Sequence, residues 1–235
     1  MKRDNWVAYL PFYLLMIIAF LGVAQLGSKT VTVLHQQKAV ERKWCVVIDA
    51  GHGGIDGGAT SCTGVLESQI NLEIALRLED LFHFLGYETK MIRRVDESIY
   101  TEGNTIAAQK VSDLKERVRI VNETENAFLI SIHQNTFSDR QYSGAQVFYG
   151  NVGDSRIVAQ NLQGQLISSL NPASKRKVKQ AKGVYLMEHI EKEGLLLECG
   201  FLTNVSEEAK LRDGTYQKKL CCVIASCLSR YFSTT

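Results

Sequence analysis

The sequence predicts an α/β fold: a single domain with a mostly parallel central sheet of about six strands, flanked by helices. Two observations lead to this prediction. Short apolar segments alternate along the chain with longer segments whose apolar residues recur every three or four positions. The short segments are continuously apolar, which is typical of strands covered by helices on both faces of a sheet.

The domain begins with a strand and a helix. Residues 44–49 (WCVVID) are apolar, rich in valine and isoleucine, and followed by glycines, which predicts a strand. From residue 67 the apolar side chains form one helical stripe, and Gly86 is placed to end that helix. Residues 87–94 then predict a second strand.

An irregular insertion, residues 96–110, separates the second strand from the next helix. That helix is predicted at 112–124, with Ser112 or Asp113 as its cap. The later elements are predicted as two strands, a helix, a strand and a closing helix: 127–135, 144–150, 154–170, 194–200 and 215–232.

The N-terminal part of the chain predicts export. A short basic start, residues 1–5, precedes 21 uncharged residues, 6–26, which is the length of a membrane-spanning helix. The basic start places the N-terminus in the cytoplasm, so 6–26 is predicted as a transmembrane signal-anchor. A cleaved signal peptide is the alternative. Residues 27–43 are predicted as a linker, and 44–235 as the working domain.

Charge and cysteine content narrow the function classes. The 27 basic and 25 acidic residues nearly balance, which argues against a nucleic-acid-binding protein. The basic run 174–179 (SKRKVK) is predicted as a solvated loop. The six cysteines lack the spacing of a zinc knuckle or a disulfide framework, so we expect them to be unpaired.

Chemically active side chains follow the predicted strands. His52 follows the first strand, His133 lies near the end of strand 127–135, and Glu198 lies within strand 194–200, while Glu67 begins a helix. The carboxyl ends of parallel strands meet at one edge of a sheet. Two histidines and a carboxylate can hold a catalytic zinc, and Asp49 is close enough in sequence to accept the second ring N–H of His52. A further carboxylate would then move protons.

Other interpretations of these residues remain open. Glu67 could serve only as an acid at a helix start. Cys199 could be a nucleophile, but adjacent strand residues face opposite sides, so it cannot share a site with Glu198. The glycine-rich loop 51–58 lacks the spacing of a phosphate-binding loop, so its glycines are expected to give the backbone room near a metal or substrate.

Four ordered motifs carry a family resemblance. They are DAGHGGIDGGA at 49–59, the glutamate Glu67 opening a helix, SIHQN at 131–135, and ECGFLTN at 198–204. Together they resemble the zinc-dependent N-acetylmuramoyl-L-alanine amidases of the amidase type 3 family, over residues 44–232.

The resemblance implies a function and a role for each site residue. Zn²⁺ would be held by His52, Glu67 and His133, and Glu198 would be the catalytic carboxylate. The substrate would be peptidoglycan, cut at the amide between N-acetylmuramic acid and L-alanine. The alternatives are another zinc peptidase or hydrolase on a related fold, and a non-catalytic cell-wall-binding protein.

Within the family the chain looks most like the membrane-anchored sporulation amidases of the CwlD type. Those enzymes remove stem peptides so that a deacetylase can form muramic-δ-lactam in the spore cortex. The resemblance implies that the catalytic domain lies outside the cytoplasm. For a sporulation amidase, that location includes the intermembrane space of the forespore. It also implies three partners: peptidoglycan, an activating lipoprotein, and a polysaccharide deacetylase acting on the product.

Overall fold

The computed structural model describes residues 44–235. The predicted basic start (1–5), signal-anchor (6–26) and linker (27–43) lie outside the described residues. Among the helices of the described part, none has the length and apolar character needed to cross a membrane.

Strands and helices alternate through most of this region. Its strands are β1 Cys45–Ala50, β2 Glu88–Met91, β3 Ala127–Asn135, β4 Gln146–Tyr149, β5 Lys179–Gln180 and β6 Glu193–Phe201. Its helices are α1 Glu67–Phe84, α2 Ile106–Glu123, α3 Ser155–Leu170, α4 Tyr185–His189, α5 Val205–Leu211 and α6 Gly214–Phe232.

The strands form one six-stranded sheet in the order β2-β1-β3-β6-β4-β5. Every neighbouring pair is parallel except β6 and β4. The predicted α/β fold with a mostly parallel sheet is therefore confirmed. Because β4 runs against β6, the start of β4 lies at the same edge as the carboxyl ends of β1, β3 and β6.

Both faces of the sheet are covered, which explains why the strand sequences are continuously apolar. Val46 and Ile48 of β1 point into a core built with α1, α3 and α6. Val47, between them, points into a second core with α2 and α4. The side chains of His133 and Glu198 are paired across β3 and β6 and so belong to one face.

The predicted start of α2 is wrong. The helix begins at Ile106, with the side chain of Thr105 accepting a hydrogen bond from its first turn, so it takes in part of the insertion. Ser112 and Asp113 are buried inside the helix instead of capping it. Asp113 accepts a hydrogen bond from the backbone N–H of Ile99 at 2.7 Å. These polar residues bind the preceding loop, and sequence position alone does not distinguish that from capping.

Other local predictions have mixed outcomes. Gly86 does end α1, with φ of 87° and its N–H bonded to His83. All six cysteines are free. The short elements β5, α4 and α5 were not predicted, because two to seven residues do not establish a period.

Candidate active site

The glycine-rich loop after β1 passes close to the side chains of the site. A Cβ atom at Gly51 would overlap the imidazole of His133, and one at Gly58 would lie 2.7 Å from both Glu67 Oε2 and His52 Cδ2. His52 itself has φ of 61°, an uncommon backbone conformation for a residue with a side chain. The glycines therefore make room for the side chains of the site, while the close approach to a metal or substrate that the sequence predicted stays a prediction.

The loop, the start of α1 and the end of β3 bring His52, Glu67 and His133 together. His52 Nε2 lies 3.4 Å from Glu67 Oε2, and His133 Nδ1 lies 3.1 Å from Glu67 Oε1. One ligand atom from each residue lies within 4.8 Å of the other two. Two imidazoles and one carboxylate at this spacing fit a zinc ion with one position left for water.

Glu67 is held as a carboxylate by hydrogen bonds. Its oxygens accept from the backbone N–H of Ala59 at 3.0 Å and of Gln134 at 3.1 Å. Burial acts to raise the pKa of Glu67, but hydrogen bonds and charge from the two site histidines hold it far below the usual range. An ionised glutamate at the first position of a helix is also favoured by the helix dipole.

The second ring nitrogen of His52 has a partner that the sequence analysis did not choose. His52 Nδ1 donates to Asp56 Oδ2 at 2.9 Å, and Lys110 Nζ lies 2.9 Å from Asp56 Oδ1. Burial acts to lower the pKa of His52, but Glu67 and Asp56 raise it to about 9. The two carboxylates thus favour a positive charge at this ring, whether a proton or a metal ion supplies it.

The expectation that Asp49 orients His52 is wrong. Asp49 is 1% exposed, and its carboxylate accepts from Arg117 and, at 2.6 Å, from Ser131 Oγ. Asp49 still lies in β1, whereas His52 lies beyond the strand in the left-handed turn, so the two side chains do not meet. Arg117 instead reaches the His52 loop itself, donating to the carbonyl oxygen of His52 at 2.9 Å.

Glu198 lies beside His133 in the register of β6 and β3 and lines the same cleft. Its Oε2 is buried and has no hydrogen-bond partner among the described residues. Burial, the largest influence, raises its pKa to about 7. Cys199 is fully buried in the core on the opposite face, as predicted.

The cleft is lined by both polar and apolar side chains. Its volume is about 320 Å³, and His52, His133 and Glu198 are among its polar lining residues. Its apolar lining residues are Ile55, Leu114, Val184, Leu186 and Leu196. Sequence reasoning missed Lys110 and Arg117. The four-residue spacing of Asp113 and Arg117 was the available clue, since it places both on one helix face.

Comparison with known proteins agrees with this geometry. The family model described as N-acetylmuramoyl-L-alanine amidase matches residues 46–230. The germination-specific N-acetylmuramoyl-L-alanine amidase of Bacillus subtilis (strain 168) is 37% identical over 190 residues, covering 80% of this chain and 79% of that protein.

Solved structures show the same fold. The CwlD amidase from Clostridioides difficile, solved in complex with the GerS lipoprotein, has 34% identity and a TM-score of 0.77, covering 82% of this chain and 100% of that one. The catalytic domain of the amidase CwlV from Bacillus (Paenibacillus) polymyxa has 26% identity and a TM-score of 0.67, covering 82% and 99%. The chain therefore belongs to the N-acetylmuramoyl-L-alanine amidase family, whose members are peptidoglycan hydrolases.

Proposed function

We propose that this chain is a Zn²⁺-dependent amidase that cuts the bond between the lactyl group of N-acetylmuramic acid and L-alanine. One observation carries the proposal. The donor atoms of His52, Glu67 and His133 lie within 4.8 Å of one another. The two histidines line the same cleft as Glu198, whose buried Oε2 has no hydrogen-bond partner within residues 44–235.

The donor set fits zinc in its chemistry as well as its spacing. Glu67 is ionised, and His52 is oriented through Nδ1 by Asp56, which leaves its Nε2 facing Glu67. A metal-binding histidine commonly has its other nitrogen held in this way. When bound, Zn²⁺ would supply Lewis acidity that lowers the pKa of a water molecule and polarises the scissile carbonyl.

Glu198 performs the proton transfers in this mechanism. Its Oε2, which has no hydrogen-bond partner among the described residues, takes a proton from the attacking water as the new bond to the lactyl carbonyl carbon forms. The same carboxyl then gives that proton to the nitrogen of L-alanine as the amide bond breaks. The products are the lactyl carboxylic acid and a peptide with a free amino terminus.

The cellular role proposed here is removal of stem peptides before muramic-δ-lactam formation in the spore cortex. Support comes from a relative named germination-specific and from a structure of the CwlD amidase. That CwlD structure contains the GerS lipoprotein, which supports an activating lipoprotein as a partner of this chain. We further propose that a polysaccharide deacetylase acts on the product. We also propose that residues 6–26 anchor the domain outside the cytoplasm, a location that includes the forespore intermembrane space.

Product analysis tests the reaction. The full-length protein, stripped of metal with a chelator, is incubated with purified peptidoglycan with and without added Zn²⁺. We expect muramic acid free of peptide, and peptides beginning with L-alanine, only when Zn²⁺ is present. Products in which L-alanine stays on muramic acid would instead identify a peptidase. The Glu198→Ala variant is the control for contaminating activity, since it should retain zinc without cleaving.

A further inference from the structure

A loop of residues 136–145 lies beside the catalytic cleft without contributing to it. It connects the carboxyl end of β3 to the start of β4, and both lie at the catalytic edge of the sheet. Gln146, the first residue of β4, is the cross-strand partner of Glu198. The surface that this loop carries therefore adjoins the strand that bears the catalytic carboxylate.

Two aromatic side chains of this loop are exposed and in contact. Phe137 is 48% exposed and Tyr142 is 46% exposed, and their ring centroids lie 4.5 Å apart. Within residues 44–235 they are the only two of the large exposed apolar side chains whose rings contact each other. Adjacent rings left in water beside an active site are typical of a binding surface.

An arginine packs against one of these two rings, that of Tyr142. The guanidinium carbon of Arg176 lies 5.8 Å from the ring centroid of Tyr142 and 4.4 Å from that of the buried Phe201. Its Nε donates to the carbonyl oxygen of Ser143 at 2.8 Å, and its Nη1 donates to Gln146 Oε1 at 2.9 Å. Arg176 is thus partly buried and hydrogen-bonded within the protein, although it lies in the run that the sequence predicted to be a solvated loop.

We propose that Phe137, Tyr142 and Arg176, here called the aromatic platform, bind a sugar ring of the glycan strand adjacent to the muramic acid being processed. This inference rests on the proposed function, because only a substrate still linked in a glycan strand presents sugars on both sides of the muramic acid. The apolar C–H face of a pyranose suits exposed aromatic rings, and its hydroxyl and acetamido oxygens suit the guanidinium N–H groups that do not donate within the protein.

The geometry favours the glycan over the stem peptide as the ligand. A stem peptide offers carboxylates, which arginine binds best with two parallel N–H groups. In Arg176 both Nε and Nη1 already donate within the protein. An uncharged sugar ring, with an apolar C–H face and polar groups at its edges, suits what remains for a ligand: two aromatic rings and a guanidinium whose donors are partly used.

Binding and kinetics together test the platform. Full-length protein in detergent is titrated calorimetrically with peptide-free glycan strands, using the wild type and the double variant Phe137→Ala/Tyr142→Ala. We expect affinity to fall on the order of tenfold, as loss of two stacked aromatic contacts implies. KM for polymeric peptidoglycan should rise similarly, while kcat and the cleavage of a single-sugar muramoyl dipeptide should not change.

The controls separate binding from folding. Phe84→Ala removes an aromatic side chain that is 86% exposed at the far end of α1, and it should leave glycan affinity unchanged. Tyr142→Phe keeps the ring and should bind nearly as the wild type does. If the double variant does not fold, Phe137→Ala alone, at a half-exposed position, replaces it with a smaller expected loss.

The outcomes also separate this inference from the proposed function. A folded platform variant that binds glycan strands with wild-type affinity overturns the platform. If the wild-type protein binds glycan strands about tenfold more tightly than the platform variant but releases no stem peptide, the proposed function is overturned and the platform is still supported, because the titration needs no catalysis.

Discussion

Two groups of buried charges lie side by side in this domain and differ in how completely they are paired. In the structural cluster, Arg117 bonds to Asp49 and Asp113 and to the backbone of the His52 loop. All three guanidinium nitrogens of Arg117 donate hydrogen bonds. In the second group, the proposed catalytic cluster of His52, Glu67, His133 and Glu198, one buried oxygen, Glu198 Oε2, has no partner within residues 44–235.

The difference shows in the direction of the pKa shifts. Burial acts against the charge of Asp49 and of Arg117, yet their mutual attraction lowers the pKa of Asp49 and raises that of Arg117. For Glu198 burial prevails, and the pKa rises to about 7. Full pairing thus fixes charge and shape in the first cluster, whereas incomplete pairing leaves a carboxyl able to exchange a proton near neutral pH.

The largest expected effect comes from removing the unpaired carboxylate. Glu198→Gln should lower the rate of stem-peptide release by about 10²–10⁴-fold, because the proton acceptor is lost. The unfolding free energy and the zinc content should stay near wild type, since Glu198 Oε2 has no partner to lose. The rate is measured by peptide release, the unfolding free energy by urea unfolding, and the zinc content by elemental analysis. Wild-type turnover would remove Glu198 from the mechanism.

In the structural cluster, a substitution should lower the stability of the fold. Arg117→Ala leaves Asp49 and Asp113 buried without their cation and should lower the unfolding free energy by about 3–5 kcal/mol. Arg119, two positions along α2, is the matched control, because it makes exposed ion pairs with Glu116 and Glu123. Its replacement by alanine should leave urea unfolding unchanged within error. Equal stability of the two variants would contradict the structural role of Arg117.

Sequence reasoning succeeded where apolar side chains form a continuous run or recur with the period of a helix. The continuously apolar strands predicted a sheet covered on both faces, and the stripe ending at Gly86 located α1. Sequence reasoning failed at the start of α2, because the residue types that cap a helix also serve, when buried, to bind a neighbouring loop. Ser112 and Asp113 suited either role, and only the path of the loop before the helix decides between them.

Sequence reasoning selected the four residues that the structure brings together, but not the residues that hold them in place. The strand ends and four spaced motifs identified His52, Glu67, His133 and Glu198. Asp49 and Asp56 are three and four residues from His52, so sequence distance could not choose between them as its partner. The choice depends on the turn at His52, whose φ of 61° turns the chain away from β1. It depends also on Arg117, which lies 68 positions from Asp49 and occupies its carboxylate.

Acid should reveal the charge pairing in the structural cluster. The pKa of Asp49 lies below its ordinary value of about 3.9, so its ion pair stabilises the fold above that pH and is lost as pH falls through the lower, folded-state value. Asp49→Asn should therefore cost about 3 kcal/mol at pH 7, the lower end of the range because Arg117 keeps Asp113. Urea unfolding from pH 7 to pH 3 should show this difference shrinking below about pH 4. A difference independent of pH would mean that the charge of Asp49 does not matter.

The smallest expected effect concerns the residue that links the catalytic cluster to the protein surface. Asp56→Ala removes the acceptor for His52 Nδ1 and should weaken Zn²⁺ binding by about 10–100-fold, measured by competition with a chelator. Asp56→Asn, which keeps a side-chain oxygen acceptor, should recover much of that affinity. Lys110→Ala should have less effect than either, because the Lys110–Asp56 pair is partly exposed to solvent and screened. If Lys110→Ala weakened zinc binding as much as Asp56→Ala, the charge of Lys110 rather than the hydrogen bond from His52 would be what positions the ligand.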